Sequence, residues 1–436
     1  MNCMKALVKL LSIALIVAYL PAHAELRIEI SEGVDKAVPI AVVPFGWTGN
    51  GAAPFDVSDL IATDLERSGR FKPLAPGDML ERPTAGNAID FDDWRILGIE
   101  VVVVGQLVET GPDQYEIQFQ LFDVFRGEQL LGYRQPAKRS QLRTASHLVA
   151  DMLYEELTGV PGIFSTQIAY VTAEGTHPQQ TFRLIVADAD GENARILVES
   201  AEPLMSPSWS PDGRKLAYVS FEKKRASIFV QTLRSGARQR VSSRPGVNGA
   251  PAWSPDGRYL ALTLSKPDGN LDIYTLELAS QVLTRLTERP SIDTEPAWSG
   301  DGKTIYFTSD RAGRPQIYSV PVNGGKAQRV SFEGPYNARA RIAPDGKQMA
   351  VVYNDRGNYR IALVGLGRGF SQVLTRGSLD ESPSFAPNGE TLIYATRKGD
   401  RGVLATVTTD GLIHQRISSV EGDVREPVWS PFSRQR

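Results

Sequence analysis

The stretch Pro251–Gly257 reads P-A-W-S-P-D-G, and variants of it recur through the C-terminal half of the chain. The Pro-Asp-Gly portion fits a type I turn closed by a glycine, the residue that most readily takes positive φ. One register position recurs every 43 to 45 residues, and its occupants are Trp209, Trp253, Trp298, Ile342, Phe385 and Trp429. A period of this length predicts one supersecondary unit that stacks on copies of itself.

Each repeat has the pattern of four short strands. The motif supplies the first strand, and alternating apolar residues such as Leu260 and Leu262 form the second. Ile273–Leu276 fits a third strand, and the polar segment around Arg285 fits a fourth. Four strands per repeat are typical of a β-propeller blade. We therefore interpret the tryptophan and the Asp-Gly pair of the motif as core and turn, not as reactive groups.

The two ends of the repeat region predict how the ring closes. Ile168–Thr172 matches the second strand of the next repeat, Leu216–Ser220, but no motif-bearing first strand precedes it. An unmatched first strand lies instead at Pro427–Ser430. The C-terminal strand is therefore predicted to complete the first blade, giving six blades and a ring without a free edge.

Residues 1–24 have the pattern of a cleaved secretory signal peptide. Lys5 and Lys9 precede the apolar run Leu10–Leu20, and Ala22-His23-Ala24 fits a cleavage site. The apolar run is short for a membrane span, although an uncleaved anchor is the alternative. Cleavage would place the mature protein in an exported compartment with Glu25 as its first residue.

The mature chain would contain no cysteine and little net charge. Cleavage would remove Cys3, the only cysteine, so no disulfide is expected. Removing Lys5 and Lys9 from the 48 basic residues leaves 46 against 50 acidic residues, or about −4. This balance argues against a nucleic-acid partner.

Residues 25–160 have the pattern of an α/β domain that precedes the propeller of residues 163–436. Ile40–Val43 and Val101–Val104 are continuous apolar runs, as in strands that are covered on both faces. A hairpin is predicted around Arg126-Gly127. Helical spacing begins at Val57 and is expected to end at Gly69.

A second helix is predicted before the linker Gly159–Gly162. Ser140 is positioned to cap its start, and Gly159 to end it. His147 lies far around this helix from its apolar residues, and we expect it to face solvent.

The first ten residues after the cleavage site form a strand with one apolar face. Composition favours a place in the sheet of its own domain, and the alternative is pairing with the edge of a partner's sheet. We interpret it as a switchable partner-binding strand that exchanges between the seam of the two domains and a free state. Its residues are Glu25, Leu26, Arg27, Ile28, Glu29, Ile30, Ser31, Glu32, Gly33 and Val34.

No pattern of catalytic or metal-binding residues stands out. The mature chain has three histidines, none at metal-ligand spacing from another, and it has neither a nucleophile elbow nor a phosphate-binding loop. Asp188–Gly191 suggests calcium but lacks the remaining ligands, so a hairpin turn is favoured. We therefore expect no catalytic residue, no metal and no cofactor.

The residues just before each first strand are expected to line the mouth of the central channel. Such loops are where a propeller usually binds a peptide, an ion or a partner. The predicted partner-binding residues are Met205, Asn248, Ala250, Asp293, Thr294, Glu295, Asn337, Arg339, Asp380, Glu381, Arg425 and Glu426. We expect the carboxylates of Asp293, Glu295, Asp380 and Glu381 to be largely solvated in the free protein.

The repeat P-x-W-S-P-D-G-x-x-L-A resembles one shared by the TolB family and by the propellers of some serine peptidases. Segments spread over the whole mature chain favour TolB: Ser31–Val34, Pro39–Phe45, Ser68–Phe71, Asn248–Pro251 and Gly313–Tyr318. One departure is the fourth repeat, where Arg339–Ala343 replaces the usual P-x-W-S.

This resemblance implies a periplasmic, non-enzymatic scaffold of the Tol–Pal system. It implies that the propeller mouth docks Pal, the peptidoglycan-associated lipoprotein, and that the N-terminal strand engages TolA, which is anchored in the inner membrane. The implied role maintains outer-membrane integrity and supports invagination of that membrane during cell division. The chain is expected to be a monomer that meets membranes only through its partners. The alternatives are a periplasmic lyase or peptidase and a propeller that binds a small ligand.

Overall fold

The computed structural model describes residues 27–32, 37–176, 178–367, 371–418 and 422–432. A mixed sheet with helices is followed by a six-bladed propeller, which confirms the predicted fold class. The predicted signal peptide, together with Glu25, Leu26, Gly33 and Val34, lies outside the described residues.

The N-terminal sheet has the order β4-β2-β5-β6-β7, and β3 also pairs with β5. The strands before the propeller are β1 (Arg27–Glu32), β2 (Val38–Val42), β3 (Gly46–Thr48), β4 (Phe71–Pro73), β5 (Val101–Gly111), β6 (Gln114–Asp123) and β7 (Glu128–Lys138). Pairing is parallel among β4, β2, β5 and β3, whereas β6 and β7 form the predicted antiparallel hairpin. The apolar runs of β2 and β5 lie at the centre of this sheet and are buried, as strands covered on both faces require.

Three α-helices pack on this sheet: α1 (Val57–Arg67), α2 (Phe91–Ile96) and α3 (Leu142–Thr158). Gly69 follows α1 with a φ of 68°, and Gly159 ends α3 with a φ of 73°, as predicted. Ser140 does not cap α3, because it lies inside a short 3₁₀ turn, Arg139–Gln141, that leads into the helix.

Blades two to four follow the predicted four-stranded pattern, each with its first strand along the central channel. Their strands are β11 (Leu204–Trp209), β12 (Lys215–Ser220), β13 (Ser227–Thr232), β14 (Arg238–Ser242), β15 (Asn248–Trp253), β16 (Tyr259–Ser265), β17 (Leu271–Glu277), β18 (Leu283–Arg285), β19 (Asp293–Trp298), β20 (Thr304–Ser309), β21 (Gln316–Pro321) and β22 (Gln328–Arg329). In the numbering below, blade two is β11–β14, blade three is β15–β18 and blade four is β19–β22.

Blades five and six repeat the same order, and blade one is shared between the two ends of the repeat region. Blade five consists of β23 (Asn337–Ile342), β24 (Gln348–Asp355), β25 (Asn358–Gly365) and β26 (Ser371–Val373). Blade six consists of β27 (Glu381–Phe385), β28 (Thr391–Lys398), β29 (Arg401–Thr408) and β30 (His414–Ser418). Blade one consists of β8 (Gln167–Glu174), β9 (Thr181–Asp188), β10 (Arg195–Ser200) and β31 (Asp423–Trp429). The order β10-β9-β8-β31 confirms that the C-terminal strand closes the ring.

Three tryptophans of the motif tie blades two, three and four each to the preceding blade. The indole Nε1 of Trp253 donates to the carbonyl of Ser208 at 3.1 Å, and that of Trp298 donates to Ala252 at 3.0 Å. Trp209 donates to Val428 at 3.2 Å across the point of closure. The rings thus exclude water between blades while each indole N–H keeps a partner, as a buried tryptophan requires.

The N-terminal domain sits on the face of blades one and six that carries the turns after the first strands. Asn388 donates to the carbonyl of Pro161 at 3.1 Å, and Gln415 donates to that of Arg67. Gly69 is required at this seam for a second reason, because a Cβ there would lie 2.8 Å from the Ile413 side chain.

The N-terminal strand β1 is not part of the α/β sheet. It pairs antiparallel with β30, from Arg27 opposite Ser418 to Ile30 opposite Gln415, and so becomes the outermost strand of blade six. The expectation that it lies in the sheet of its own domain is therefore wrong, because the exposed edge of a neighbouring blade offers its backbone the same hydrogen bonds.

Candidate partner-binding mouth of the propeller

The channel mouth is built by a distortion that all six blades share. Each first strand bulges three residues before its register position, and the residue there has positive φ although it is not glycine. The φ angles are 51° at Ser206, 46° at Ala250, 53° at Glu295, 60° at Arg339, 57° at Ser382 and 50° at Glu426. Such conformations cost on the order of 1–3 kcal/mol each and concentrate at functional sites. The bulge ring therefore marks this end of the channel as a candidate site.

A pocket of about 550 Å³ opens at the mouth between blades two and three. Of the predicted residues it is lined by Met205, Asn248, Ala250, Thr294, Glu295, Arg339 and Glu426. Met205 is 41% exposed beside the pocket, so the lining combines an accessible apolar side chain with charged groups. This combination suits a protein or peptide partner.

Arg339 is the electrostatic centre of the mouth. Its guanidinium lies 3.4 Å from Glu295, 3.2 Å from Glu426 and 2.6 Å from the Ser382 hydroxyl, so it joins its own blade five to three others. Burial alone would lower the pKa of Arg339, but the carboxylates of Glu426 and Glu295 outweigh it and raise this pKa above its ordinary value. Glu426 also accepts the backbone N–H of Ser206. The departure of the fourth repeat thus supplies the one cation around which the mouth is organised.

Two of the four carboxylates that we expected to be solvated are buried. Asp293 is fully buried and lies 2.7 Å from the guanidinium of Arg311, while Asp380, 1% exposed, accepts from Thr396 at 2.5 Å and from Gly377 at 3.0 Å. Glu295 and Glu381 are half-buried. The expectation fails because both side chains fasten the loop that precedes their inner strand, where Asp293 accepts from Ser291 and Asp380 from Gly377.

Asn248 and Asn337 occupy the position equivalent to Asp293 and Asp380 in their own blades, and their side chains also bind the preceding loop. Asn248 accepts from Ser242 at 2.6 Å and from the Arg244 backbone at 3.0 Å, and Asn337 donates to the carbonyl of Glu333 at 2.7 Å. With Asp293 and Asp380, they hold the loops that precede the inner strands, and among the four only Asn248 also lines the pocket. Asn337, Asp380, Asp293, Glu381 and Arg425 do not line the pocket.

Sequence reasoning missed a second loop that contributes to the pocket. Phe221, Lys224 and Arg225 line it from the connection between β12 and β13. In a propeller blade this connection lies on the same face as the loop before the first strand, so the blade pattern itself could have indicated these residues. They add an aromatic ring and two cations to the lining of the pocket.

A buried charged cluster lies at the seam between the two domains. His147 of α3 is 1% exposed, and its Nδ1 lies 2.5 Å from Asp64 of α1. Its Nε2 lies 3.6 Å from Asp190 of blade one, which also pairs with Arg143. The expectation that His147 faces solvent is wrong, because the propeller covers that side of α3.

The three side chains Asp64, His147 and Asp190 could approach a metal ion together. The two carboxylates are already held by guanidinium groups, Asp64 by Arg67 at 3.2 Å and Asp190 by Arg143. The arrangement is therefore that of an ion-pair cluster that joins the domains.

Among the helices that the structure describes, none is long and apolar enough to cross a membrane.

Comparison with known proteins matches both parts of the chain. A family model described as the TolB amino-terminal domain matches residues 26–130, and one described as the TolB beta propeller domain matches residues 154–433. The Tol-Pal system protein TolB of Xanthomonas campestris is 49% identical over 410 residues, covering 93% of each chain. That of Xanthomonas oryzae is 48% identical over 427 residues, covering 96% of this chain and 97% of the relative. The crystal structure of TolB from Acinetobacter baumannii superimposes with a TM-score of 0.87 at 42% identity, covering 94% of this chain and 100% of that one.

Proposed function

The chain belongs to the TolB family, and on that premise we propose that it is a non-enzymatic periplasmic scaffold that links Pal to TolA. Pal docks at the propeller mouth, and TolA engages the N-terminal strand. Through these two partners the protein contributes to outer-membrane integrity and to invagination of the outer membrane at division. The chain itself acts as a monomer and reaches membranes only through the partners.

The observation that carries the proposal is the mouth pocket with its strained rim. Exposed Met205 and the aromatic ring of Phe221 offer an apolar anchor, and Arg339 with Glu295 and Glu426 offers charges of both signs. In protein interfaces most of the binding energy concentrates in an apolar anchor that becomes buried in the complex and is surrounded by polar groups. The rim is held by six bulges, so a partner meets a preorganised surface.

The position of β1 supports the TolA side of the proposal. A terminal strand on the outside of a blade can detach without opening a loop, and detachment costs only its own contacts. Once released, its backbone can add to the sheet edge of another protein. Thus the same strand has one partner within the molecule and another outside it.

The Pal dock is tested by calorimetry with the protein from residue 25 onward. Met205→Asp places a charge on the exposed apolar anchor, and we expect it to weaken Pal binding by at least about tenfold. Val282→Asp is the matched control, because Val282 is 57% exposed in a turn of blade three away from the mouth. Unchanged Pal affinity in Met205→Asp would move the dock elsewhere.

The TolA site is tested by deleting residues 25–34. We expect TolA binding to be lost and the Pal affinity to change, although the deleted segment lies on the outside of blade six. A changed Pal affinity follows if Pal prefers one position of the strand, since coupling between two binding sites is reciprocal. Retained TolA binding would remove the strand from the proposal, whereas equal Pal affinities would leave two independent sites.

A further inference from the structure

The fourth repeat places a second arginine in the channel, two residues after Arg339. Arg341 lies on β23 directly before the register residue Ile342, and in the other repeats the equivalent position follows the proline of the motif. The other five blades carry a small or short side chain there: Ser208, Ala252, Ala297, Ser384 and Val428. Only this blade therefore sends a long cationic side chain into that level of the channel.

Arg341 differs from Arg339 in how its charge is balanced. Arg339 pairs with two glutamates, whereas no carboxylate among the described residues lies within salt-bridge distance of Arg341. The guanidinium of Arg341 donates to the carbonyl of Ala340 at 3.0 Å. Burial, followed by the charge of Arg339, lowers the pKa of Arg341 to about 10, although Glu295 and Glu426 act in the opposite direction, so Arg341 is cationic at neutral pH. A partly buried cation without a direct ion-pair partner is costly, and an incoming anion would lower that cost.

The surroundings of Arg341 form a funnel at the end of the channel opposite the mouth. This funnel has a volume of about 620 Å³ and is lined by the proline, aromatic and small residues of all six motifs. Its rim includes the exposed residues Pro211, Pro255 and Pro344. Three of the serine hydroxyls in its lining are already engaged, because Ser210, Ser254 and Ser299 each donate to an aspartate at 2.6 Å. Among the residues that the structure describes, the funnel thus combines apolar walls with one cation, Arg341.

We propose that the funnel is a second binding site, separate from the mouth, which takes a peptide carboxylate attached to an apolar residue. Arg341 binds the carboxylate, and the proline and tryptophan walls contact the apolar part of the peptide. A guanidinium binds a carboxylate in a bidentate manner, and one carboxylate matches the single positive charge. The carboxylate can belong to a chain end or to an acidic side chain, and both present the same group to Arg341.

The test uses the tryptophan fluorescence of the protein, since four of the six tryptophans line the funnel. The probes are N-acetylphenylalanine, its neutral amide, and N-acetylglutamyl-phenylalaninamide, none of which contains tryptophan. We expect saturable binding of the first probe and at least about tenfold weaker binding of the amide, because a charged hydrogen-bonded pair is lost. Binding of the third probe, compared with the first, distinguishes an acidic side chain from a chain end.

Variants assign the effect to Arg341. We expect Arg341→Met to weaken binding of N-acetylphenylalanine at least about tenfold, and Arg341→Lys to recover part of it. Arg234→Met is the control, because Arg234 is an exposed arginine on a turn of blade two. Equal binding of acid and amide by the unaltered protein, or no saturable binding, would overturn the proposal without any variant. Equal binding by Arg341→Met with an unchanged circular dichroism spectrum would also overturn it.

Discussion

His147 shows how one residue can be decided by the rest of the molecule. Its place on α3 is opposite to the apolar stripe that packs on the α/β sheet, which is why a single helix predicts exposure. In the structure the side of α3 that carries His147 faces blade one, and Asp64 and Asp190 flank the imidazole. Polar residues at a seam between domains have the same sequence pattern as solvated ones, so this burial was not predictable from the helix alone.

Replacing His147 should lower the stability of the protein by more than the loss of side-chain volume alone suggests. His147→Ala leaves the buried carboxylate of Asp64 without its 2.5 Å partner, and we expect the free energy of unfolding to fall by about 1–3 kcal/mol. Urea unfolding monitored by circular dichroism measures this change. Glu155→Ala, at an exposed position of the same helix, is the control and should be nearly neutral. Equal stabilities of the two variants would show that the cluster contributes little.

The aspartate of the motif makes part of the stability depend on pH. A hydrogen bond from the Ser254 hydroxyl lowers the pKa of Asp256, and the backbone N–H of Arg258 acts in the same direction. Because the folded pKa lies below the unfolded value of about 3.9, ionised Asp256 stabilises the fold at neutral pH. This contribution is lost as the pH falls through the folded pKa.

Ser254→Ala should therefore raise the pKa of Asp256 toward its ordinary value, which a carboxyl titration by NMR measures. The stability difference from the unaltered protein should be largest at neutral pH and shrink below about pH 4. Ser235→Ala is the control, because the Ser235 hydroxyl accepts from the Ala237 backbone in an exposed turn. A stability difference that is the same at both pH values would contradict the assignment.

At the scale of elements, the turns of neighbouring blades contact one another through proline and glycine. A Cβ built on Gly257 would lie 3.5 Å from Pro211, and similar distances separate Gly302 from Pro255 and Gly389 from Pro344. The chain of contacts is interrupted where Gly300 replaces the proline, and nothing lies within 4 Å of a Cβ on Gly346. The contacts leave room for a side chain, so the recurrence of glycine follows from the positive φ of the turn and not from crowding by the proline.

Restoring the missing proline should stabilise the propeller. The φ of Gly300 is not positive and nothing lies within 4 Å of its Cβ position, so Gly300→Pro fits the turn that Pro211, Pro255 and Pro344 already adopt. We expect a gain of about 0.4–1 kcal/mol from the reduced entropy of the unfolded chain. Thermal melting measures the gain, and Gly300→Ala should give a smaller increase. A lower melting temperature for Gly300→Pro would mean that this turn differs from the others.

Elements were more predictable from the sequence than the site they build. The motif repeats at nearly constant spacing between Trp209 and Trp429. That spacing predicts the number of blades, the order of strands and the closure of the ring. The side on which β1 pairs did not follow, because an alternating strand fits any exposed edge. Neither did the burial of Asp293 and Asp380, since each carboxylate is held by a residue of a loop, Arg311 or Gly377, whose position no local sequence pattern indicates.

For the whole molecule, the integrity of the ring should depend on its last strand. Trp429 on β31 is 8% exposed, its Nε1 donates to Thr166 at 2.8 Å, and its backbone N–H donates to Ser384 at 3.0 Å. Deleting residues 427–436 removes this tryptophan and leaves edges on blade one. Loss of a buried tryptophan alone costs about 3–5 kcal/mol, so we expect a sharp fall in melting temperature.

The control for this deletion is removal of residues 433–436 alone, which keeps Trp429 in place. Differential scanning calorimetry of the two shortened proteins separates ring closure from the length of the chain. An unchanged transition after the longer deletion would mean that β31 does not hold the ring together.

The closing strand also sets the order in which the molecule comes into existence. A ribosome makes β31 last, after every other strand of the propeller has been translated. Until β31 has been made, blade one has only β8, β9 and β10, and the channel lacks its sixth inner strand. The ring can therefore close only after all of its other strands exist, so closure is a late step of folding whatever the order in which the other blades form.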